Sequence, residues 1–210
     1  IREALHNCIA HQDYTLQQRI NFVENPGYLY YSNAGTFIPG TLENALKNEE
    51  PQTHFRNECL CRAMVDFNMI DTVSRGIKKM FNEQWRRHFP MPDYEIDQIK
   101  KKVVVRIYGN EINKRYTDLL KTNDTLSLWD CISLDAVQKG RTIHENIAQD
   151  LLKRGLIEGN APHYSISLSI AKNTHQLPSY TKTKGLDKER LRQMILQYLS
   201  NAGDEGAKRD

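Results

Sequence analysis

INFVENPGYLYYS, residues 20–32, gives the clearest pattern for the fold of this 210-residue chain. Residues 20–23 and 28–32 are rich in the β-branched and aromatic side chains that favour strands. ENPG stands between them, and Asn-Pro-Gly is strong turn chemistry. The stretch therefore predicts two short β segments joined by a turn.

Helical and extended segments surround this turn. Apolar spacing predicts helices over residues 1–11, 42–47, 56–67 and 75–85, whereas two prolines in FPMPDY (89–94) interrupt the helical pattern. KKKVVVRIYG (100–109) predicts a strand. Residues 1–109 are therefore predicted to form one α/β (α+β) domain. The predicted apolar face of its first helix consists of Ile1, Leu5, Cys8 and Ile9.

The second half predicts three helices followed by two strands. The helices cover residues 111–121, 127–139 and 142–155, and the last has a capping box of Thr142 and Glu145 and ends at Gly155. LIEG (156–159), a turn and HYSISLSI (163–170) follow. This order is typical of a winged helix-turn-helix, which we place at residues 110–171. A linker and a C-terminal helix at 186–200 are predicted within residues 172–210.

Composition indicates a chain with a packed core. Hydrophobic residues make up 39% and charged residues 26% of it. No apolar run approaches the roughly 18 residues of a membrane span, and no secretory leader is visible, so we expect a soluble cytoplasmic protein without membrane contact. Because the chain begins with Ile1 in helical periodicity, we also expect a further N-terminal part.

The charges and cysteines indicate little chemistry by themselves. Residues 1–99 carry 10 Lys/Arg against 13 Asp/Glu, and residues 100–210 carry 19 against 13. The second half is therefore the better candidate for contact with a polyanion.

The Cys59-x-Cys61 pair lacks further clustered zinc ligands nearby, so we expect the cysteines to be reduced thiols.

The first helix carries a polar stripe of Glu3, Asn7 and His11, spaced four residues apart. Such a stripe is most often a solvated face. Here it runs into Asp13, and NAG at 33–35 follows a strand that we expect near this helix. A glycine at residue 35 would let a flat ligand approach the backbone. A carboxylate and an amide oxygen one turn apart can orient water and bind a hard cation such as magnesium.

Three stretches together resemble a known family: REALHNCIAHQDY (2–14), YYSNAGTFIPG (30–40) and FRNECLCRAMVDFNMIDTVSRGIKKM (55–80). The family comprises bacterial and archaeal transcriptional regulators, also called RecG-related ATP-dependent DNA helicase proteins. Its shared region is a divergent GHKL-type ATPase-like domain with two layers, and winged-helix segments commonly follow it. The resemblance implies that this chain is the C-terminal portion of such a regulator, with ATP and magnesium as cofactors.

The resemblance implies a role for each candidate site residue. Glu3 would be the catalytic residue that activates water, Asn7 the magnesium ligand, and Asn33 the residue that reads adenine beside Gly35. The cofactor-binding residues would be Asn7, His11, Asp13, Asn33, Gly35, Arg75 and Gly76.

Two departures from the family pattern disfavour hydrolysis. Asn33 replaces an aspartate, so its contact with adenine lacks charge assistance. VSRGI (73–77) replaces a glycine-richer segment whose backbone N–H groups would face phosphate. The chain also has no G-x-x-x-x-G-K-[ST] loop, which excludes a P-loop helicase motor within it. A degenerate nucleotide-binding module without turnover is favoured. The alternatives are a non-catalytic assembly or dimerisation module whose pocket is a relic of the fold, and a true magnesium-dependent ATPase.

The third helix of the predicted winged helix is the candidate for reading DNA. Its Asn146 and Gln149 could contact base edges, but Glu145 and Asp150 on the same face would repel phosphate. A plain solvated surface, or an assembly module that forms a homodimer, is the competing interpretation. The candidate DNA-binding residues are Arg141, Asn146, Gln149 and Lys153.

Overall fold

A four-stranded antiparallel sheet organises the first half of the molecule. The computed structural model describes residues 1–47, 55–70 and 75–167. The strands are β1 (Asn21–Glu24), β2 (Tyr28–Ala34), β3 (Asp93–Asp97) and β4 (Lys102–Tyr108), in the order β1-β2-β4-β3. The predicted turn at residues 24–27 is confirmed, because Asn25 and Tyr28 exchange backbone hydrogen bonds there. Central strands β2 and β4 pair along their whole lengths.

Helices cover one face of this sheet, which gives the mixed α/β architecture predicted from sequence. They are α1 (Arg2–His11), α2 (Leu42–Lys47), α3 (Glu58–Asp66) and α4 (Gly76–Arg86). Alternate residues of the central strands point towards them, since successive strand side chains face opposite sides. The resulting core combines Ala4 and Cys8 of α1 and Met80 of α4 with Tyr31, Val103, Val105 and Ile107.

The predicted apolar face of α1 is wrong in part. Ile1 and Leu5 are exposed, whereas Ala4, His6, Cys8 and Ala10 are buried. The helix is buried on two sides: Ala4 and Cys8 face the sheet, and Ala10 packs with Cys61 and Met64 of α3. Small side chains allow both neighbours to approach closely, so hydrophobicity alone did not identify the buried positions.

Strand β3 was missed because Pro90 and Pro92 suggested only an interruption. Both prolines precede the strand, and β3 is an edge strand of the sheet. Proline just before a strand removes no ladder hydrogen bond. Tyr94 and Ile96 alternate in β3 and stand opposite Val105 and Val103 of β4, so a period-two signal was present.

Three helices and a hairpin follow the sheet in the predicted order: α5 (Lys114–Thr122), α6 (Leu128–Gln138), α7 (Glu145–Lys153), β5 (Ile157–Asn160) and β6 (His163–Ile166). The predicted capping box of Thr142 and Glu145 is wrong, because α7 begins after His144. A capping box is formed instead by Ser127 and Asp130 at the start of α6.

The described residues through Ser167 belong to one compact unit, Ile1–Ser167. The domain boundary at residues 109–110 stays a prediction. The linker and final helix predicted within 172–210, the end of HYSISLSI, and Val73 and Ser74 lie outside the described residues. Among the described helices, none has the length and apolarity to span a membrane.

Candidate functional site

The first turns of α1 face the beginning of α4. A Cβ atom on Gly76 would lie 3.2 Å from Glu3 Oε2 and 3.6 Å from Asn7 Oδ1. A Cβ at position 76 would therefore crowd the Glu3 carboxylate and lie in ordinary van der Waals contact with Asn7. Arg75 precedes the helix as its N-cap residue, makes no side-chain cap hydrogen bond and is exposed. The structure thus brings Glu3, Asn7, Arg75 and Gly76 together at a helix N-terminus, where backbone N–H groups attract anions.

Lys79 is a neighbour of this group that the sequence reading missed. Its Nζ donates a 2.8 Å hydrogen bond to Glu3 Oε1, and the Glu3 side chain is only 18% exposed. Lys79 lies one turn after Gly76 on α4, so the same helix brings both to Glu3. The spacing from Gly76 was visible in the sequence, but the packing of α4 against α1 was not.

The oxygen donors here suit a hard cation. The Glu3 carboxylate and the Asn7 amide both lie beside Gly76, and carboxylate and amide oxygens are suitable ligands for magnesium. Lys79 competes for the Glu3 carboxylate through the other oxygen. Within the described ranges, no cluster of three or more His, Cys, Asp or Glu side chains could form a metal site by itself, so any cation here would also need ligand or water oxygens.

The last turn of α1 contacts the end of β2. Asn33 Nδ2 donates to the carbonyl oxygen of His11 at 3.4 Å and to that of Ala34 at 3.1 Å, and the Asp13 N–H donates to Ala34 at 2.7 Å. The side chain of Asn33 is thus anchored through its amide nitrogen. This brings His11, Asp13, Asn33 and Gly35, four of the predicted cofactor-binding residues, close together; their role stays a prediction.

Gln12, which the sequence reading also missed, fixes this end of the site. It is buried; its Oε1 accepts from the Ala34 N–H at 2.8 Å, and its Nε2 donates to the Gln18 carbonyl at 2.7 Å. A single buried amide therefore joins α1, β2 and the segment leading to β1. No periodic signal marks such a residue, because both partners are backbone groups.

Arg56 fills the space beside Gly35. Its Nη2 donates to the Thr36 carbonyl and hydroxyl oxygens, each at 2.8 Å, and its Nη1 lies 3.4 Å from Asp13 Oδ2. The side chains of Arg56 and Asp13 are 19% and 17% exposed. Hydrogen bonds from Thr15, more than the charge of Arg56, lower the pKa of Asp13, although burial opposes the shift. Asp13 is therefore an ionised acceptor at neutral pH.

His11 is partly buried and neutral at neutral pH. Burial, with the positive charge of Arg56 as a smaller cause, lowers its pKa from 6.5 to about 4. Its Nδ1 and the Nε of Arg56 are buried without a hydrogen-bond partner in the part of the chain that the structure describes. Buried polar atoms are normally paired, so a bound ligand or water is expected at these nitrogens.

A cavity of about 510 Å³ opens beside the first turn of α1. Glu3 and Lys79 border it, whereas Asn7, Asn33, Gly35 and Gly76 do not line it. Its floor is apolar and is formed by Leu29, Met80 and Ile107. The cavity therefore adjoins one end of the candidate site without containing it.

The predicted DNA-binding residues fall into two groups. Asn146, Gln149 and Lys153 are exposed on α7, and Gln149 donates to Glu145 at 3.3 Å. Arg141 lies before this helix, and its Nη2 forms a 2.8 Å ion pair with the buried Asp93 of β3. Its main partner is therefore within the protein.

Arg141 belongs to a buried ion network that joins α6 to β3. Lys139 Nζ contacts Asp93 Oδ1 at 2.9 Å, Asp135 Oδ2 at 2.6 Å and the Met91 carbonyl at 2.8 Å. The Lys139 side chain is 7% exposed, which removes it from contact with a polyanion. Burial raises the pKa of Asp135. Burial also acts most strongly on Asp93, yet hydrogen bonds from Arg141, Tyr108 and Lys139 leave the pKa of Asp93 lowered.

Among solved structures, the chain is similar to the DIP2311 protein from Corynebacterium diphtheriae. The likeness has a TM-score of 0.51 at 17% identity and covers 81% of this chain but 35% of that one. At this identity it concerns the fold alone, and this chain spans about a third of that protein. No curated protein matches the chain.

A family model matches residues 18–107, and its description is "Putative ATP-dependent DNA helicase recG C-terminal". The matched segment contains Asn33, Gly35, Arg75 and Gly76, and it begins after α1. The antiparallel sheet with its helical layer is consistent with a GHKL-like domain. Together, the match and the fold support a RecG-related, divergent ATPase-like domain in the first half of the chain.

Proposed function

We propose that residues 1–109 form a degenerate GHKL-like module that binds Mg-ATP without hydrolysing it. The observation that carries this proposal is the position of α1 between two glycines. Gly76 approaches Glu3 and Asn7, and a Cβ on Gly35 would lie 3.1 Å from the carbonyl oxygen of His11. Glu3 and His11 are eight residues apart, or about 12 Å along a helix, so one elongated ligand could contact both ends.

The triphosphate would lie at the Gly76 end. The N-terminus of α4 supplies backbone N–H groups, and Arg75 adds an exposed positive charge. Asn7 would hold magnesium through its amide oxygen. Arg75 would thus bind phosphate in place of the glycine N–H groups that the segment 73–77 lacks.

The base would lie at the Gly35 end. Asn33 uses its amide nitrogen for the His11 and Ala34 carbonyls, which leaves its oxygen to accept from the amino group of adenine. His11 and Asp13 border the same position. The family description of an ATPase-like domain agrees with nucleotide and magnesium as ligands.

Glu3 is the only residue that we assign as a candidate general base. Its carboxylate accepts a hydrogen bond from Lys79. The Lys79 ammonium occupies Glu3 Oε1 at 2.8 Å, so that oxygen is not free to orient an attacking water. We therefore propose nucleotide sensing rather than turnover. Phosphate release from Mg-ATP at a rate that Glu3→Gln abolishes would support the alternative of a true ATPase.

Thermal unfolding with and without Mg-ATP tests the proposal. Nucleotide at 100 times its Kd stabilises a protein by about 2.7 kcal/mol. For a chain of this size that is a rise in Tm of about 5–10 °C. Asn7→Ala should abolish the rise, and Asn146→Ala on α7 should preserve it. An unchanged Tm of the parent protein at millimolar Mg-ATP would contradict the proposal.

We also propose that residues 110–171 form a winged helix-turn-helix of a DNA-associated transcriptional regulator. Three helices precede the β5–β6 hairpin, and α7 exposes Asn146, Gln149 and Lys153 to solvent. Asn and Gln side chains can read adenine edges, and Lys153 can contact phosphate. The RecG-related description of residues 18–107 also suggests association with DNA.

Gel retardation with duplex DNA at several salt concentrations tests this second proposal. Lys153→Ala should weaken binding at every sequence and reduce the salt dependence by about one phosphate contact. Lys121→Ala on α5 is the matched control and should change neither. A chain that is dimeric without DNA and shows no retardation would favour the homodimeric assembly module.

A further inference from the structure

The guanidinium group of Arg56 occupies the open side of Gly35. A Cβ atom on Gly35 would lie 3.1 Å from Arg56 Cζ and 3.2 Å from Arg56 Nη1. The backbone of Gly35 also has a φ of +130°, which other residues rarely adopt. The glycine therefore allows a planar group to touch the backbone, and that group is Arg56.

The acceptors around Arg56 form a cradle for a planar group with several N–H bonds. The acceptors that contact Arg56 are the Asp13 carboxylate and both oxygens of Thr36, and the cradle is completed by Gly35 and the nearby His11 carbonyl. Arg56 Nη2 makes two 2.8 Å hydrogen bonds to Thr36, whereas Nη1 makes only a 3.4 Å contact with Asp13. The contact of Arg56 with the Asp13 carboxylate is thus longer than its two hydrogen bonds to Thr36.

Two buried nitrogens at this place are unpartnered among the described residues, Arg56 Nε and His11 Nδ1. Arg56 therefore fills the cradle without satisfying every polar atom in it. A heteroaromatic base offers both donors and acceptors along its edge, so it can pair with His11 Nδ1, the cradle nitrogen that the guanidinium leaves unpaired.

We propose that Arg56 is an internal occupant of the base position, so that a nucleotide binds only after the guanidinium has left the cradle. This inference rests on the nucleotide-binding function proposed above. The amino group of the base replaces Arg56 as the donor to the cradle. The apparent affinity for nucleotide is lowered by the fraction of molecules in which Arg56 is in place.

Calorimetric titration with Mg-ATP tests the competition directly. Arg56→Ala should bind Mg-ATP about tenfold more tightly or better, which corresponds to an open cradle in about a tenth of parent molecules. Low-millimolar guanidinium chloride should refill the cradle in Arg56→Ala and return its Kd towards the parent value. The same salt should leave the Kd of the parent protein unchanged.

Two further variants make the result specific. Arg62→Ala removes an exposed arginine of α3 whose ion-pair partner is Glu58, and it should bind like the parent. Arg56→Lys retains a positive charge near Asp13 but lacks the planar fork, and it should also bind more tightly than the parent. If Arg56→Ala does not fold, Arg56→Lys tests the proposal in its place.

The outcomes separate the two proposals. If the parent binds Mg-ATP, Asn7→Ala does not, and both Arg56 variants bind equally or more weakly, Arg56 is a wall of the site and the occupant proposal fails alone. If the parent and both Arg56 variants show no binding at millimolar nucleotide, the nucleotide function fails and this inference fails with it.

Discussion

Removing the charge of Lys139 should be one of the most destabilising single changes in the described part of the chain. Lys139→Met keeps most of the side-chain volume but deletes the ammonium group that contacts Asp93, Asp135 and the Met91 carbonyl. The two carboxylate side chains are 6% and 5% exposed. Arg141 and Tyr108 still contact Asp93, whereas Asp135 retains only neutral donors.

The structure sets the magnitude of this effect. Removing one partner of a buried ion pair typically costs about 3–5 kcal/mol, because the remaining charge is left uncompensated. Domains unfold with a free energy of about 5–15 kcal/mol, so the variant should lose a large fraction of its stability. Lys47→Met is the matched control: its ion pair with Glu43 is 61% exposed on both sides, so the loss should be about 0–1 kcal/mol.

Urea unfolding, followed by the fluorescence of Trp85 and Trp129, measures the free energy of unfolding of both variants. The pH dependence of this free energy provides a second test. Without Lys139, Asp135 in the folded protein should have a further raised pKa and take up a proton before the unfolded chain does. The deficit of Lys139→Met relative to the parent should therefore narrow as the pH falls from about 8 to about 5. A deficit equal to that of Lys47→Met, or one that is independent of pH, would refute the reasoning.

Three other predictions follow from single contacts. Asn33→Asp, which restores the family's acidic residue, should lower stability by about 1–3 kcal/mol in urea unfolding, because a carboxylate cannot donate to the two carbonyls that Asn33 contacts; unchanged stability would contradict this. His11 has a pKa of about 4 in the folded protein and about 6.5 unfolded, so stability should be lost as pH falls between these values, by on the order of 3 kcal/mol. His11→Gln should remove this pH dependence, and His163→Gln should retain it. Ser127→Ala should lower the free energy of unfolding by about 0.5–2 kcal/mol in thermal unfolding, whereas Thr142→Ala should leave it almost unchanged. Equal losses of stability would show that α7 begins earlier than the structure has it.

Local patterns predicted the elements well. The β1–β2 hairpin, strand β4 and the seven α-helices of the described residues lie close to their predicted positions, because strand propensity, turn residues and apolar spacing act over a few neighbours. The errors were local as well. Strand β3 was missed because two prolines precede it. Thr142 was wrongly predicted as the capping residue of α7, whereas the capping box is at Ser127, at the start of α6.

The candidate site could be predicted only as two sets of residues. Motif spacing selected Glu3 and Asn7, and it separately selected Asn33 and Gly35. Their roles stay predictions, but their placement at opposite ends of α1 is a property of the packed structure. The resemblance also did not identify Lys79 or Arg56, since each acts through a partner at least 20 residues away in sequence.

The sequence by itself determined the approximate positions of most helices and strands, and which side chains could be proposed to bind a nucleotide or a cation. Only the tertiary structure decided which face of α1 is buried, that Lys139 and Arg141 are committed to Asp93, and that Arg56 fills the space beside Gly35. The physical reason is that propensity and periodicity depend on nearby residues. Ion pairs, burial and the surroundings of a glycine depend on elements that meet only when the chain has packed.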